Sequence, residues 1–124
     1  MPQHTSKNKQ TVIIVDDNKF VLRVLTKILQ KAGHCVTSVE TGQELLERLE
    51  TKTYDVAIIA VRLEDVNGLD LLDKIQKINA NMKKIVLTGY PSEEDRIRAL
   101  EQGADYYLSK PIKSERLIEI VEEK

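Results

Sequence analysis

The chain of 124 residues contains one cysteine, Cys35, so it forms no internal disulfide, and a reducing cytoplasm is the expected setting. Cys35 itself reads as a small hydrophobe opening a strand rather than as a reactive thiol. No apolar run approaches the ~20 residues that a membrane span requires. The first ten residues, MPQHTSKNKQ, have no apolar core of the kind a secretion signal carries. They read as a solvated tail (1–10), leaving 11–124 as one domain with one hydrophobic core. No repeat, linker or low-complexity stretch divides it. A glycine-rich turn is also missing after the first apolar run, where the sequence is VDDNKFV, which argues against a nucleotide-binding α/β domain. A basic recognition helix is absent as well, so direct nucleic-acid binding is not expected. Net charge is −1 and selects no class of partner.

What is present is a regular alternation. Hydrophobic residues make up 41% and charged residues 31%, an ordinary soluble balance. Five short apolar runs, 11–15, 35–39, 56–61, 84–88 and 105–109, are separated by helical patterns. The first, third and fourth runs are continuous and rich in valine and isoleucine, as buried parallel strands are. The second is half polar and suits a sheet edge. Asn18 is placed to cap the first helix, whose apolar face reads Val21, Val24, Leu25, Ile28 and Leu29. Thr41 with Glu44 and Ser92 with Asp95 form start signals for the second and fourth helices. Asn67-Gly68 opens the third, with Leu69, Leu72 and Ile75 inward. Ser114 opens the fifth, with Leu117, Ile118 and Val121 inward. Strict alternation with short connections implies an α/β fold: a doubly wound, five-stranded parallel sheet with helices on both faces.

In such a sheet the site lies at the carboxyl ends of the strands. Asp16-Asp17-Asn18 follow the first run, Ala60-Val61-Arg62 end the third, Thr88-Gly89 end the fourth, and Lys110-Pro111 follow the fifth. Adjacent carboxylates are hard oxygen ligands suited to Mg²⁺. A hydroxyl and an ammonium opposite them suit the oxygens of a phosphoryl group. Taken singly, an acidic pair is usually a cap, Thr88 a strand-end hydroxyl and Lys110 a surface charge. The four together are a much stronger signal.

The motifs VIIVDDN, DVAIIAVRLEDVNGLDLL, KIVLTGY and GADYYLSKPI, correctly spaced from Thr11 to about Val121, resemble the receiver domain of two-component response regulators, a CheY-like, flavodoxin-like fold. The resemblance implies strand order 2-1-3-4-5. It implies that Asp16, Asp17 and the backbone carbonyl of Arg62 hold Mg²⁺. Thr88 and Lys110 would bind the phosphoryl group, Thr88 and Tyr107 would form the switch, and the Lys110–Pro111 bond would be cis. For Tyr107 a half-buried strand residue is an equally ready explanation. The family's phosphoacceptor aspartate falls on Ala60. A methyl group cannot attack phosphorus, ligate a metal or carry charge. Asp55 lies before the strand, and Glu64 and Asp65 lie beyond it in the turn. Glu64 also departs from the family, which often has proline there.

The resemblance therefore implies a cytoplasmic signalling and docking module of a phosphorelay, not an enzyme, that cannot be phosphorylated and holds Mg²⁺ weakly. Ala60 is either natural, making a phosphorylation-independent pseudo-receiver adaptor, or a replacement in an ordinary receiver. An alternative from another class is a Mg²⁺-dependent aspartyl phosphatase or phosphotransferase, but those sites use Asp-x-Asp. Implied partners are a histidine kinase or phosphotransfer protein, or a downstream effector, with the chain itself a monomer or weak dimer. Any output domain would follow Lys124 in a longer gene; otherwise the chain is a stand-alone adaptor. Residues 1–34 hold six lysines and arginines against two acids. Of these, Lys19, Arg23, Lys27 and Lys31 recur every fourth residue, a candidate docking stripe that would otherwise be a merely solvated face.

Overall fold

The structure is a computed structural model that describes residues 9–123. Residues 1–8 of the expected tail, and Lys124, lie outside the described residues. Strands and helices alternate as β1 (Thr11–Val15), α1 (Lys19–Lys31), β2 (Cys35–Val39), α2 (Gly42–Thr51), β3 (Val56–Ala60), α3 (Gly68–Ile78), β4 (Lys83–Thr88), α4 (Glu93–Glu101), β5 (Tyr106–Ser109) and α5 (Ser114–Glu122). The strands are all parallel, in the order β2-β1-β3-β4-β5. This is the doubly wound order, and the chain reverses its direction of growth between β1 and β3.

The pleat sorts each Val/Ile run onto two faces. Ile13, Val15, Ala57, Ile59 and Val86 pack beneath α2, α3 and α4, where Leu45, Leu49, Leu69, Leu72 and Ile75 meet them. Val12, Ile14, Val56, Ile58, Ile85 and Leu87 pack beneath α1 and α5. Each valine, leucine or isoleucine side chain buried in this way contributes roughly 1.5–3 kcal/mol. Local signals set the helix starts: Asn18 accepts hydrogen bonds from the Phe20 and Val21 N–H groups, Thr41 from Glu44, Asn67 from Leu69 and Ser92 from Asp95. Lys113, which flanks α5, makes no side-chain cap.

Several expectations are corrected. Cys35 opens β2, the sheet edge, and among the described residues it is exposed. In α1 it is Leu22, with Leu25 and Leu29, that is buried, whereas Val24 is 38% exposed. At ~100° per residue, Leu22, Leu25 and Leu29 share one narrow arc and Val24 lies well outside it. In α5, Ile120 is fully buried and Ile118 only partly. The third strand ends at Ala60 rather than Val61, the fourth begins at Lys83 and the fifth at Tyr106. Among the described residues no helix is long and apolar enough to cross a membrane.

Candidate functional site

Carboxyl ends of β1, β3, β4 and β5 surround a cavity of about 240 Å³ walled by Asp16, Asp17, Asn18, Ala60, Val61, Arg62, Leu87, Thr88, Gly89, Tyr90 and Lys110. The sequence pointed to Asp16, Asp17, Ala60, Arg62, Thr88 and Lys110, and the fold brings all six to this one cavity. Tyr107 does not wall it. Its ring packs, half-buried, against the core under α4, and its hydroxyl accepts a hydrogen bond from the Ser92 N–H at 3.1 Å.

Each wall residue is positioned by its element. Asp16 is buried just beyond β1 and accepts from the Asn18 N–H (2.9 Å) on Oδ1 and from Lys110 Nζ (2.8 Å) on Oδ2. Lys110 follows β5 and precedes a cis peptide bond to Pro111. Thr88, the buried last residue of β4, accepts the Tyr90 N–H on Oγ1 at 3.1 Å. Ala60 is the buried last residue of β3 and one of the residues that wall the cavity. Gly68 is needed beside it: a Cβ there would sit 1.8 Å from the Ala60 carbonyl oxygen. The Gly68 N–H also donates to the Val61 carbonyl at 2.7 Å, so the β3–α3 loop closes tightly on the strand end.

Two features were not read from the sequence. The Arg62 guanidinium, rather than only its carbonyl, matters here: it stacks over the Tyr90 ring at 4.2 Å, joining the β3–α3 loop to the β4–α4 loop across the cavity mouth. Asp65, noted only as a turn acid, accepts from the Gly42 and Gln43 N–H groups, both at 3.0 Å, and so caps α2 from a distant loop. The Gly42 amide is the main cause of a lowered Asp65 pKa. Neither pairing leaves a local sequence signal.

Two acids wall the cavity, Asp16 and Asp17. Asp16 has both oxygens engaged, Asp17 is exposed, and the third strand end offers a methyl group. Among the described residues no three His, Cys, Asp or Glu side chains gather as a metal site.

The stripe lies away from the cavity on the exposed flank of α1. Lys19, Arg23 and Lys27 border a polar groove with Ser38 and Glu40. A four-residue repeat drifts by ~40° per step on an α-helix, so the row winds obliquely rather than running straight. On the other flank of α1, Phe20 (68% exposed), Val24 and Ile28 face Pro111 and Ile112 across an apolar groove.

A family model described as "Response regulator receiver domain" matches residues 12–122. The transcriptional regulatory protein GlrR of Escherichia coli K12 is 30% identical over 112 residues, which is 90% of this chain but 25% of that protein. The chain thus spans about a quarter of that relative's length. A CheY-like response regulator receiver domain protein from Methanospirillum hungatei JF-1 superposes with a TM-score of 0.88 at 34% identity, covering 91% of this chain and 90% of that one. A response regulator from Burkholderia pseudomallei, solved with a phosphorylated aspartic acid, calcium ion and citrate, superposes at 0.87 with 25% identity, covering 91% and 66%.

Proposed function

Because the chain belongs to the response regulator receiver domain family, we propose that it is a receiver module of two-component signalling that cannot accept a phosphoryl group. Receiver domains are signalling modules that work with histidine kinases or effector domains and generally bind Mg²⁺ at an acidic pocket. The observation that carries the finer reading is an alanine, Ala60, in the wall of the cavity that also holds Asp16, Asp17, Thr88 and Lys110. In this reading Ala60 occupies the phosphoacceptor position, Thr88 and Lys110 are the phosphoryl-binding pair, and Thr88 with Tyr107 form the switch. Asp16, Asp17 and the Arg62 carbonyl are the metal ligands, and they hold Mg²⁺ weakly. The direct Lys110–Asp16 ion pair supports that weakness, since the lysine already neutralises the buried acid.

The chain then acts by contact rather than by catalysis, whether Ala60 is natural or a replacement. The α1 stripe Lys19, Arg23, Lys27 and Lys31 supports docking of a kinase, phosphotransfer or effector partner. Incubation with acetyl phosphate and Mg²⁺, followed by intact-mass measurement, tests the reading. The chain should gain no acyl phosphate, and Ala60→Asp should gain one. Phosphate on the Ala60 form, or none on the Asp variant, overturns it.

A further inference from the structure

We propose that the open edge of β2 takes up an extended acidic segment of a partner protein as a sixth strand. The backbone of Val36 and Ser38 and the cations of α1 would hold it. The inference deepens the reading of the α1 row as a docking site and rests on it. It starts from the pairing of β2. The Cys35 N–H donates to the Gln10 carbonyl at 3.0 Å, and the Val39 carbonyl accepts the Asp16 N–H at 3.2 Å. In a parallel ladder alternate residues bond to a given neighbour. With this register Cys35, Thr37 and Val39 spend their backbone groups on β1. Val36 and Ser38, between them, turn N–H and C=O the other way. β2 ends the sheet, so among the described residues those groups meet no strand. An edge of that kind is a template for a further strand.

The charge beside this edge selects the partner. A groove of about 450 Å³ lies between β2 and α1, walled by Lys19, Arg23 and Lys27 from the helix and Ser38 from the strand. The three cations take part in no ion pair among the described residues. Thr26 shares the wall, and its Oγ1 is shut away from solvent with no hydrogen-bond partner among the described residues. A peptide carbonyl or carboxylate in the groove would satisfy it. The spacings agree as well. Side chains on one face of an extended strand repeat every ~6.6 Å, and residues four apart on a helix repeat every ~6 Å. Alternate acids on a sixth strand therefore meet Lys19, Arg23 and Lys27 in turn. A second copy of this chain is a poorer occupant. Two β2 edges paired antiparallel about a two-fold axis would bring two basic rows to the same face. Glu40 also walls the groove and opposes an acidic segment at that end.

Amide NMR of the ¹⁵N-labelled chain tests this at low ionic strength, with the peptide acetyl-Thr-Glu-Thr-Glu-Thr-Glu-Thr-amide as probe. Its dissociation constant should be on the order of 1 mM, as befits a short flexible ligand. At about ten times that concentration, amide exchange at Val36 and Ser38 should slow about tenfold. Thr37, already bonded to β1, should not change. Ser38→Pro removes one outward N–H and spares the β1 ladder, so it should weaken binding about fivefold. Arg23→Glu should weaken it about tenfold, and Glu40→Gln should strengthen it. The dispersed spectrum of each variant reports its fold. Binding that leaves Val36 and Ser38 unprotected, or equal binding of the same peptide with lysine for glutamate, overturns the proposal. So does protection of these amides that grows with protein concentration in the absence of peptide, which would make the edge a seam between two copies. An amphipathic helical peptide with glutamate at every fourth position separates the two readings. If it binds the α1 row and the extended peptide does not, docking stands and this inference falls. If neither binds, both fall.

Discussion

Lys84 carries a charge into the interior: it is 2% exposed, and among the described residues its ammonium has a single hydrogen bond, to the Met82 carbonyl at 2.8 Å. Burial pushes its pKa below the usual lysine value, and Asp105 opposes the shift only in part. The sign for stability follows from linkage. Between the lowered folded value and the unfolded 10.5, the unfolded chain binds more protons, so stability rises with pH across that window. Below it the full cost of the buried charge remains. Lys84→Met keeps the volume and removes the charge, and should stabilise the chain by about 1 kcal/mol at neutral pH. Urea unfolding at neutral and mildly alkaline pH measures both effects. A variant less stable at neutral pH, or one that keeps the alkaline rise, would show that the ammonium is well solvated where it sits.

At the scale of an element, α2 begins with two caps. Thr41 supplies the local one and Asp65, from the β3–α3 loop, the distant one. A carboxylate at a helix N-terminus satisfies orphan donors and complements the helix dipole. Asp65→Ala should cost about 1 kcal/mol of stability and raise hydrogen exchange in the first turn of α2. Asp65 has a depressed pKa, so its contribution is present above the unfolded value of 3.8 and fades as pH falls through the folded one. The gap between wild type and Asp65→Ala should therefore close in acid. A gap that persists there would mean the carboxylate's charge plays no part.

For the molecule as a whole the informative feature is where its charge lies. Lys19, Arg23, Lys27 and Lys31 take part in no ion pair among the described residues, while acids of α3, α4 and α5 pair with basic side chains. Unpaired exposed cations steer an acidic partner, and salt screens them over ~8 Å at physiological ionic strength. Lys19, Arg23 and Lys27 border the polar groove on one flank of α1, and the apolar groove of Phe20, Val24 and Ile112 lies on the other. An amphipathic peptide helix with glutamate at every fourth position should therefore associate with the chain. Reversing charge at Arg23 and Lys27 should slow association about tenfold at low salt and change dissociation less. Equal association rates in stopped flow would leave the row as a solvated face.

The alternation of Val/Ile runs with capped helices determined the element order and the sheet, because period and caps are local properties that need no partner. It also placed Asp16, Ala60, Thr88 and Lys110 at strand ends, since a parallel sheet aligns those ends on one edge. Tertiary structure decided what crosses between elements. Asp16 binds Asn18 and Lys110, Arg62 lies over Tyr90, Asp65 caps α2, and the buried Lys84 ammonium donates to the Met82 carbonyl. Each depends on which side chain a distant loop or strand presents, and no local pattern of hydrophobicity or capping encodes that.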